Sequence, residues 1–465
     1  MLASLMRRPV LGIFVVALTV RVIAASVIAV GWDGLLFLDD AAYSRLAELA
    51  ANGAIQDSYD EFLYERTATL LVPITGLYAL FGSVELLGQL VVALLGAATA
   101  ALTTRLAMEI LDRRFAVFAG LIVALLPSQI LWSSLILKDA VVWAVLSALA
   151  LVVAVAARSA GRRLALMGAA AAVLLVLLGF LRLHSLEVAC VAIVLAVLAF
   201  PRPRPLARLT GAAVLLVCVP LTFGMGVAGS SFVADNGDPG YQRAVNAIEA
   251  DSAVVAAPAP PAAPPDQTSS TAGTARAPAP RVPDKTSTEG GGAPTAAPPD
   301  KSSSDAGRAP AAASPKKTPT VPDPPPTPAP APVAAPPDAP SPAVGTSLAY
   351  LPTGVTVVAL RPWPWERSSE SLGIRMARAE TIVWYPLLLL ALVGLPTVLR
   401  HRRTLAFPVL AGGAILAMYG LTEGNLGTAY RHRGEFVWVV AVLAALGAER
   451  IVTWRHKRRQ RWVAA

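Results

Sequence analysis

Asp39 and Asp40 stand side by side just after an apolar stretch, Val10 to Val30, that is long enough to cross a bilayer. Charge is expensive near hydrocarbon, so an acidic pair at the mouth of such a stretch implies a task. The loop around it is acidic throughout, with Asp33, Glu48, Asp57, Asp60, Glu61 and Glu65, and Arg45 is the only base before Arg66. A carboxylate at a membrane surface can act as general base on an acceptor hydroxyl. Its natural counterparts are cations, and later loops supply them: Lys138 beside Asp139, Arg182 with His184, and Tyr430-Arg431-His432-Arg433. Guanidinium groups bind phosphate in bidentate fashion and can stabilise a departing phosphate. The candidate catalytic residues are therefore Asp39, Asp40 and Asp139. The candidate substrate- and phosphate-binding residues are Tyr43, Glu65, Arg66, Lys138, Arg182, His184, Tyr430, Arg431, His432 and Arg433. Each has a plainer structural alternative. Asp39 and Asp40 suit a helix cap before Ala41, Asp139 suits the positive end of a helix dipole, Arg182 and His184 suit a headgroup anchor, and Trp363 and Trp365 suit an interfacial aromatic belt.

The elements that must position these residues are membrane helices. The chain has 465 residues, 55% of them hydrophobic and 15% charged, with a mean hydropathy of +0.59. Soluble domains carry about 25% charged residues, so the composition is that of an all-α polytopic membrane protein. A net charge of +9 raises nucleic acid as a partner. The bases, however, fall in short clusters between apolar stretches and form no basic surface interleaved with aromatics, which excludes that class. Cys190 and Cys218 both lie within apolar stretches, with no disulfide framework and no metal-ligand spacing.

Windows of ~20 apolar residues mark spans at 9–30, 85–108, 115–134, 139–157, 164–181, 186–200, 209–228, 380–399, 405–421 and 435–453. The first resembles a signal peptide but is longer than such segments and is followed by further spans, so it reads as an uncleaved helix. Alternation then puts Arg7/Arg8, Arg113/Arg114, Arg158/Arg162/Arg163, Arg202/Arg204/Arg208, Arg400/Arg402/Arg403 and the basic tail from Arg455 on one side, the cytoplasmic one by the positive-inside rule. Both termini are then cytoplasmic, and the acidic loop faces outward. Two segments of that loop read as interfacial helices: Ala41–Asn52, with Tyr43, Leu46 and Leu49 at helical spacing, and Thr67–Phe81, short for a span. Charges within spans are rare. Arg21 and Arg105 are the exceptions and read as lying near span ends.

Residues 254–345 are dense in Pro, Ala, Ser and Thr and nearly free of aromatics, a composition that cannot offset chain entropy by burial and predicts disorder. A loose repeat within it, Ala263-Pro-Pro-Asp266 to Gly273 and Ala297-Pro-Pro-Asp300 to Gly307, suggests slippage expansion. The organisation expected is a membrane module over 1–230 with its catalytic outer loop at 31–84, an outer loop at 231–253, the disordered insertion at 254–345, an ordered outer segment at 346–379, and C-terminal spans with a basic tail over 380–465.

The order of these features resembles the GT-C superfamily of integral-membrane glycosyltransferases, specifically the family-39-like group of protein mannosyltransferases and aminoarabinose transferases. The resemblance is carried by Asp39–Asp40 after a first helix, Tyr43, a second juxtamembrane segment ending at Phe81–Gly82, the turn Leu111-Asp112-Arg113-Arg114, Pro127 and Asp139. It covers roughly residues 10–160. The segments Arg361-Pro-Trp-Pro-Trp-Glu366 and Gly424 to Arg433 are similar to bacterial members. Where many members carry His-Pro-Pro, this chain reads Tyr64 to Pro73 without it, and the resemblance leaves the sugar and the acceptor open.

The resemblance implies a GT-C-like bundle of about ten transmembrane helices with two juxtamembrane helices in the first outer loop. It implies an inverting sugar transfer from a polyprenyl-phosphate donor to an acceptor glycan, lipid or protein of the cell envelope, on the outer face of a bacterial cytoplasmic membrane. Asp39 would be the general base, with Asp40 its neighbour. Metal use is left open, and Asp39 and Asp139 would be the ligands of a divalent ion. Two other classes remain at this point. A lipid-linked sugar flippase or other transporter predicts buried mid-span charges and paired half-helices. A catalytically inactive scaffold would present the Pro-rich loop to the wall.

Overall fold

A computed structural model describes residues 6–31, 36–56, 58–198, 351–366, 372–422 and 426–464. The segments expected at 209–228, 231–253 and 254–345 lie outside the described residues. The described chain is helical, with no strand: α1 (Pro9–Gly31), α2 (Leu38–Ala51), α3 (Ser58–Phe81), α4 (Glu85–Ala107), α5 (Arg113–Leu125), α6 (Pro127–Trp132), α7 (Asp139–Ala156), α8 (Gly161–Leu181), α9 (Leu183–Leu198), α10 (Leu351–Leu360), α11 (Leu372–Gly394, continued by a 3₁₀ turn at Leu395–Leu399), α12 (Arg402–Thr422), α13 (Leu426–His432) and α14 (Gly434–Ala464). Seven of these helices, α1, α4, α7, α8, α11, α12 and α14, are long and apolar enough to cross a membrane. The chain is an all-α, multi-pass membrane protein.

Sequential neighbours and distant helices share one core. α1 packs along α4 and α5, α4 on α7, α7 on α8, α9 and α10 on α12, and α11 along α14. α14 also reaches back to α5 and α7, so the N- and C-terminal parts of the described chain are interleaved. Contact between helices in lipid relies on close backbone approach at small residues. Gly354 on α10 and Gly420 on α12 meet in this way: a Cβ on Gly354 would lie 1.6 Å from the Gly420 carbonyl oxygen. Gly354→Leu should therefore separate the two helices and cost about 1–3 kcal/mol, measured by thermal unfolding in detergent. An unchanged midpoint would contradict the packing.

The structure departs from the sequence reading in several places. The span expected at 115–134 is broken. Leu126 is extended (ψ 127°) ahead of Pro127, because the ring disfavours the α region in the preceding residue. Pro127 has no N–H, and the Ser128 N–H is taken by Glu380 Oε2 at 2.5 Å. The carbonyls of Val123 and Ala124 thus lose their intrahelical donors. Arg21 supplies them: Nη2 donates to the Val123 carbonyl and Nη1 to the Ala124 carbonyl, each at 3.1 Å. Arg21 also donates from Nε to Ser133 Oγ at 2.7 Å and from Nη1 to the Ala17 carbonyl at 3.1 Å. It sits fully buried mid-way along α1, not near a span end as read from the sequence. Its charge is a plug for a broken helix. Arg21→Leu should leave those carbonyls buried and unsatisfied, at about 1–3 kcal/mol for each group, read as a lowered unfolding midpoint.

The helix expected at Thr67–Phe81 begins at Ser58 and so is longer than read. It packs on α2 and also on α4 and α8. The last helix runs past residue 453 to Ala464, because a tail of Lys and Arg is a good helix former when solvated.

Charge is divided between the two ends of the bundle. Just beyond the C-terminus of α7, Arg158 and the α4 residue Arg105 both pair with Glu109. At the N-terminus of α7 stands Asp139, roughly one bilayer core away along the helix.

Candidate functional site

Asp139 opens α7, where the helix dipole favours an anion. Its carboxylate is fully buried and bridges two guanidinium groups: Arg182 Nη2 donates to Oδ1 at 2.7 Å, and Arg431 Nε donates to Oδ2 at 2.7 Å. Arg182 terminates α8 and is itself buried. Its Nη1 donates to the Tyr419 hydroxyl at 2.9 Å and pairs with Glu435 at the start of α14. Tyr419 Oη donates to Glu435 Oε1 at 2.5 Å, and Ser185 Oγ to Glu435 Oε2 at 3.0 Å. Burial alone would lower the basicity of Arg182, but Tyr419, Glu435 and Asp139 together raise it well above its usual value. The buried cation is thus held charged.

Arg431 ends α13 and links this interior to the surface. While Nε holds Asp139, Nη1 donates to Asp39 Oδ2 at 2.5 Å. The guanidinium lies 5.9 Å from the centre of the Trp132 ring, and Trp132 packs against Phe37 at the start of α2. Burial lowers and Asp139 then raises the Arg431 pKa, for a net rise. Asp39 is the exposed member: its side chain is 57% accessible, against 16% for Arg431 and none for Asp139.

The neighbour Asp40 does something else. It is buried, and its carboxylate accepts the backbone N–H groups of Leu36 (3.0 Å), Phe37 (2.8 Å) and Ala41 (3.1 Å). As the third residue of α2 it reaches back to the N-cap Phe37, the acidic half of a capping box. Where a catalytic part was expected, the geometry is that of a cap, which fixes the start of α2. Tyr43, one turn on, is nearly buried among the charges of Asp39, Arg431, Asp139 and Arg182, and burial pushes its hydroxyl up to about 12.

Lys138 caps the N-terminus of α7 with its backbone. Its side chain is partly buried, and desolvation, reinforced by Arg182, pulls its pKa down to about 8. His184 Nε2 lies 3.1 Å from the Tyr419 hydroxyl, and the His432 ring stacks on Tyr419 at 4.2 Å. Burial, then Arg182, holds the His432 pKa well below the usual histidine value, so the ring is neutral.

The remaining sequence-derived candidates fall elsewhere. Tyr430 and Arg433 belong to a neighbouring buried cluster. Tyr430 donates to Glu380 Oε2 at 3.1 Å, and Glu380 also accepts from Ser128 Oγ at 2.9 Å. Arg433 donates to the Val358 carbonyl at 3.0 Å and to the Arg361 carbonyl, closing the end of α10, and lies over the rings of Trp384 and Tyr430. It is fully buried and bonds backbone carbonyls where a phosphate-binding part was expected, and its Nη1 has no hydrogen-bond partner among the described residues. Glu65 and Arg66 are exposed on α3, with Arg66 over the Phe62 ring. Trp363 and Trp365 stack on one another at 5.7 Å, in a turn that Glu366 closes by accepting from Arg361 and the Trp363 N–H.

Tyr419, Ser185, Glu435 and Trp132 are network members missing from the sequence-derived site. Tyr419 and Trp132 lay inside segments read as apolar spans. Glu435, beside Arg433, was visible as an acid opening a helix, the same signal that marked Asp139.

Among the described residues, the two carboxylates expected as ligands of a divalent metal are engaged by cations. Both oxygens of Asp139 are bound by guanidinium groups, and Asp39 shares Arg431. Among the described residues no group of three His, Cys, Asp or Glu side chains is arranged to hold an ion.

Compared with protein-family models, characterised proteins and solved structures, the chain matches none.

Proposed function

We propose that the protein is a membrane glycosyltransferase that moves a sugar from a polyprenyl-phosphate donor to a cell-envelope acceptor at the outer face of a bacterial cytoplasmic membrane. The observation that carries this reading is Arg431. It joins one exposed carboxylate, Asp39, to a buried cluster of Asp139, Arg182 and Glu435, whose net negative charge Arg431 offsets. In the reaction Asp39 takes the acceptor hydroxyl proton as that oxygen attacks the anomeric carbon. The bond from the anomeric carbon to the lipid phosphate oxygen breaks, and the phosphate leaves with the electron pair. Arg431 and Lys138 would hold that anion. Arg182, engaged by Asp139, Glu435 and Tyr419, positions Arg431 through Asp139.

Lys138 supplies a pH test. Its pKa of about 8 means that its charge is present below pH 8 and lost above it, so transfer should fall as pH rises through about 8. Lys138→Arg, permanently charged, should move that falling limb upward. A profile identical in the two proteins would remove Lys138 from the donor site.

The transporter alternative predicts buried mid-span charge and paired half-helices. Arg21 is such a charge, but its donors are engaged by the broken helix at Pro127, which supports a structural part for it. The scaffold alternative is separated by experiment: it requires that deleting 254–345 abolish function while Asp39 is dispensable, and the transferase reading requires Asp39.

A further inference from the structure

The proposed base and the proposed phosphate ligand are bonded to each other. Asp39 occupies Nη1 of Arg431, and Nη2 beside it has no hydrogen-bond partner among the described residues. The end-on edge of the guanidinium, which suits bidentate phosphate binding, is therefore half filled by an internal carboxylate.

Charge balance gives this a consequence. Three carboxylates, Asp39, Asp139 and Glu435, face three cations, Arg182, Arg431 and Lys138. His432 is neutral. Among the described residues the site has no surplus positive charge, so an added phosphate competes with a carboxylate already there. Asp139 and Glu435 are wholly buried and held by two and three donors respectively. Asp39 is exposed and makes a single ion pair.

We propose that Asp39 is a stand-in anion for the donor phosphate: it holds Arg431 in place in the empty site and is displaced from it when a phosphate-bearing lipid binds. Displacement frees the Asp39 carboxylate to accept a proton as the leaving phosphate comes under guanidinium control. Binding of the donor and arming of the base then become one event, and acceptor is not deprotonated in an empty site. This rests on the transferase reading above.

The test is equilibrium binding of polyprenyl monophosphate to the purified full-length protein in nanodiscs, with polyprenol lacking the phosphate and inorganic phosphate as separate arms. Removing a competing internal anion should tighten phosphate binding, so Asp39→Asn and Asp39→Ala should each raise affinity for polyprenyl phosphate by about tenfold, a usual size for coupling between two ligands of one group. Polyprenol binding should not change. A gain with the lipid phosphate and none with inorganic phosphate identifies the lipid as the source, and a gain with both identifies phosphate from either. Arg431→Gln should lose the phosphate-dependent part in both backgrounds. Unchanged or weaker binding in the two Asp39 variants, or retained phosphate binding in Arg431→Gln, would overturn the exchange. The two readings fail separately: transfer lost in Asp39→Asn without tighter binding leaves the base and removes the exchange, whereas tighter binding with transfer intact does the reverse.

Discussion

Under the proposed function, Asp39→Asn should lower sugar transfer by about 10²–10⁴-fold, the usual contribution of a positioned general base, and leave the protein folded and inserted. The amide keeps the size of the side chain and one oxygen for Arg431 but cannot take a proton at neutral pH. Because Asp39 is exposed and the buried pairs of Asp139 lie beneath it, the unfolding midpoint should move little, within the ±0.5 kcal/mol typical of surface changes. Asp40→Asn should show the opposite pattern. It weakens a cap of three backbone N–H groups, so stability falls by about 1 kcal/mol and transfer falls only as far as α2 is displaced. Transfer by a membrane preparation of each variant, with the unfolding midpoint measured in parallel, separates the two. Full activity in Asp39→Asn would end the assignment.

Arg182→Gln carries the largest expected cost in stability. Arg182 lies between two fully buried carboxylates, Asp139 and Glu435, which enter from the N-termini of α7 and α14. Removing one partner of a buried pair leaves charge uncompensated, at about 3–5 kcal/mol. Here two carboxylates are exposed to that penalty, and Arg431 alone can offset one of them. Part of the loss should be recovered in Arg182→Gln combined with Glu435→Gln, because the second change removes the orphaned charge. Thermal unfolding of the two proteins checks this. A double variant no more stable than the single one would mean that the network is not held by charge.

Much of this site was legible because membrane helices of similar length return the chain to the same end of the bundle. Asp39, Asp139, Arg182 and Arg431 are far apart in sequence, yet each stands just outside an apolar stretch, and alternating stretches bring them together. What was hidden depends on direction about a helix axis, which hydropathy does not report. Asp40 and Arg433 have the same charges as Asp39 and Arg431, one or two residues away, but turn inward to backbone groups. Tyr419 was missed because a single hydroxyl does not lift an apolar window. Pro127 was visible as a breaker, but averaging over a window bridged it, and so Arg21 had no evident partner.

If this network serves a polyprenyl-phosphate sugar, the lipid pool of cells reports it most directly. Mass spectrometry of lipid extracts should show a polyprenyl-phosphate sugar accumulating when the gene is deleted, and again when Asp39→Asn is the sole copy, with the wild-type copy restoring the normal level. An unchanged pool of these lipids in both strains would contradict the account.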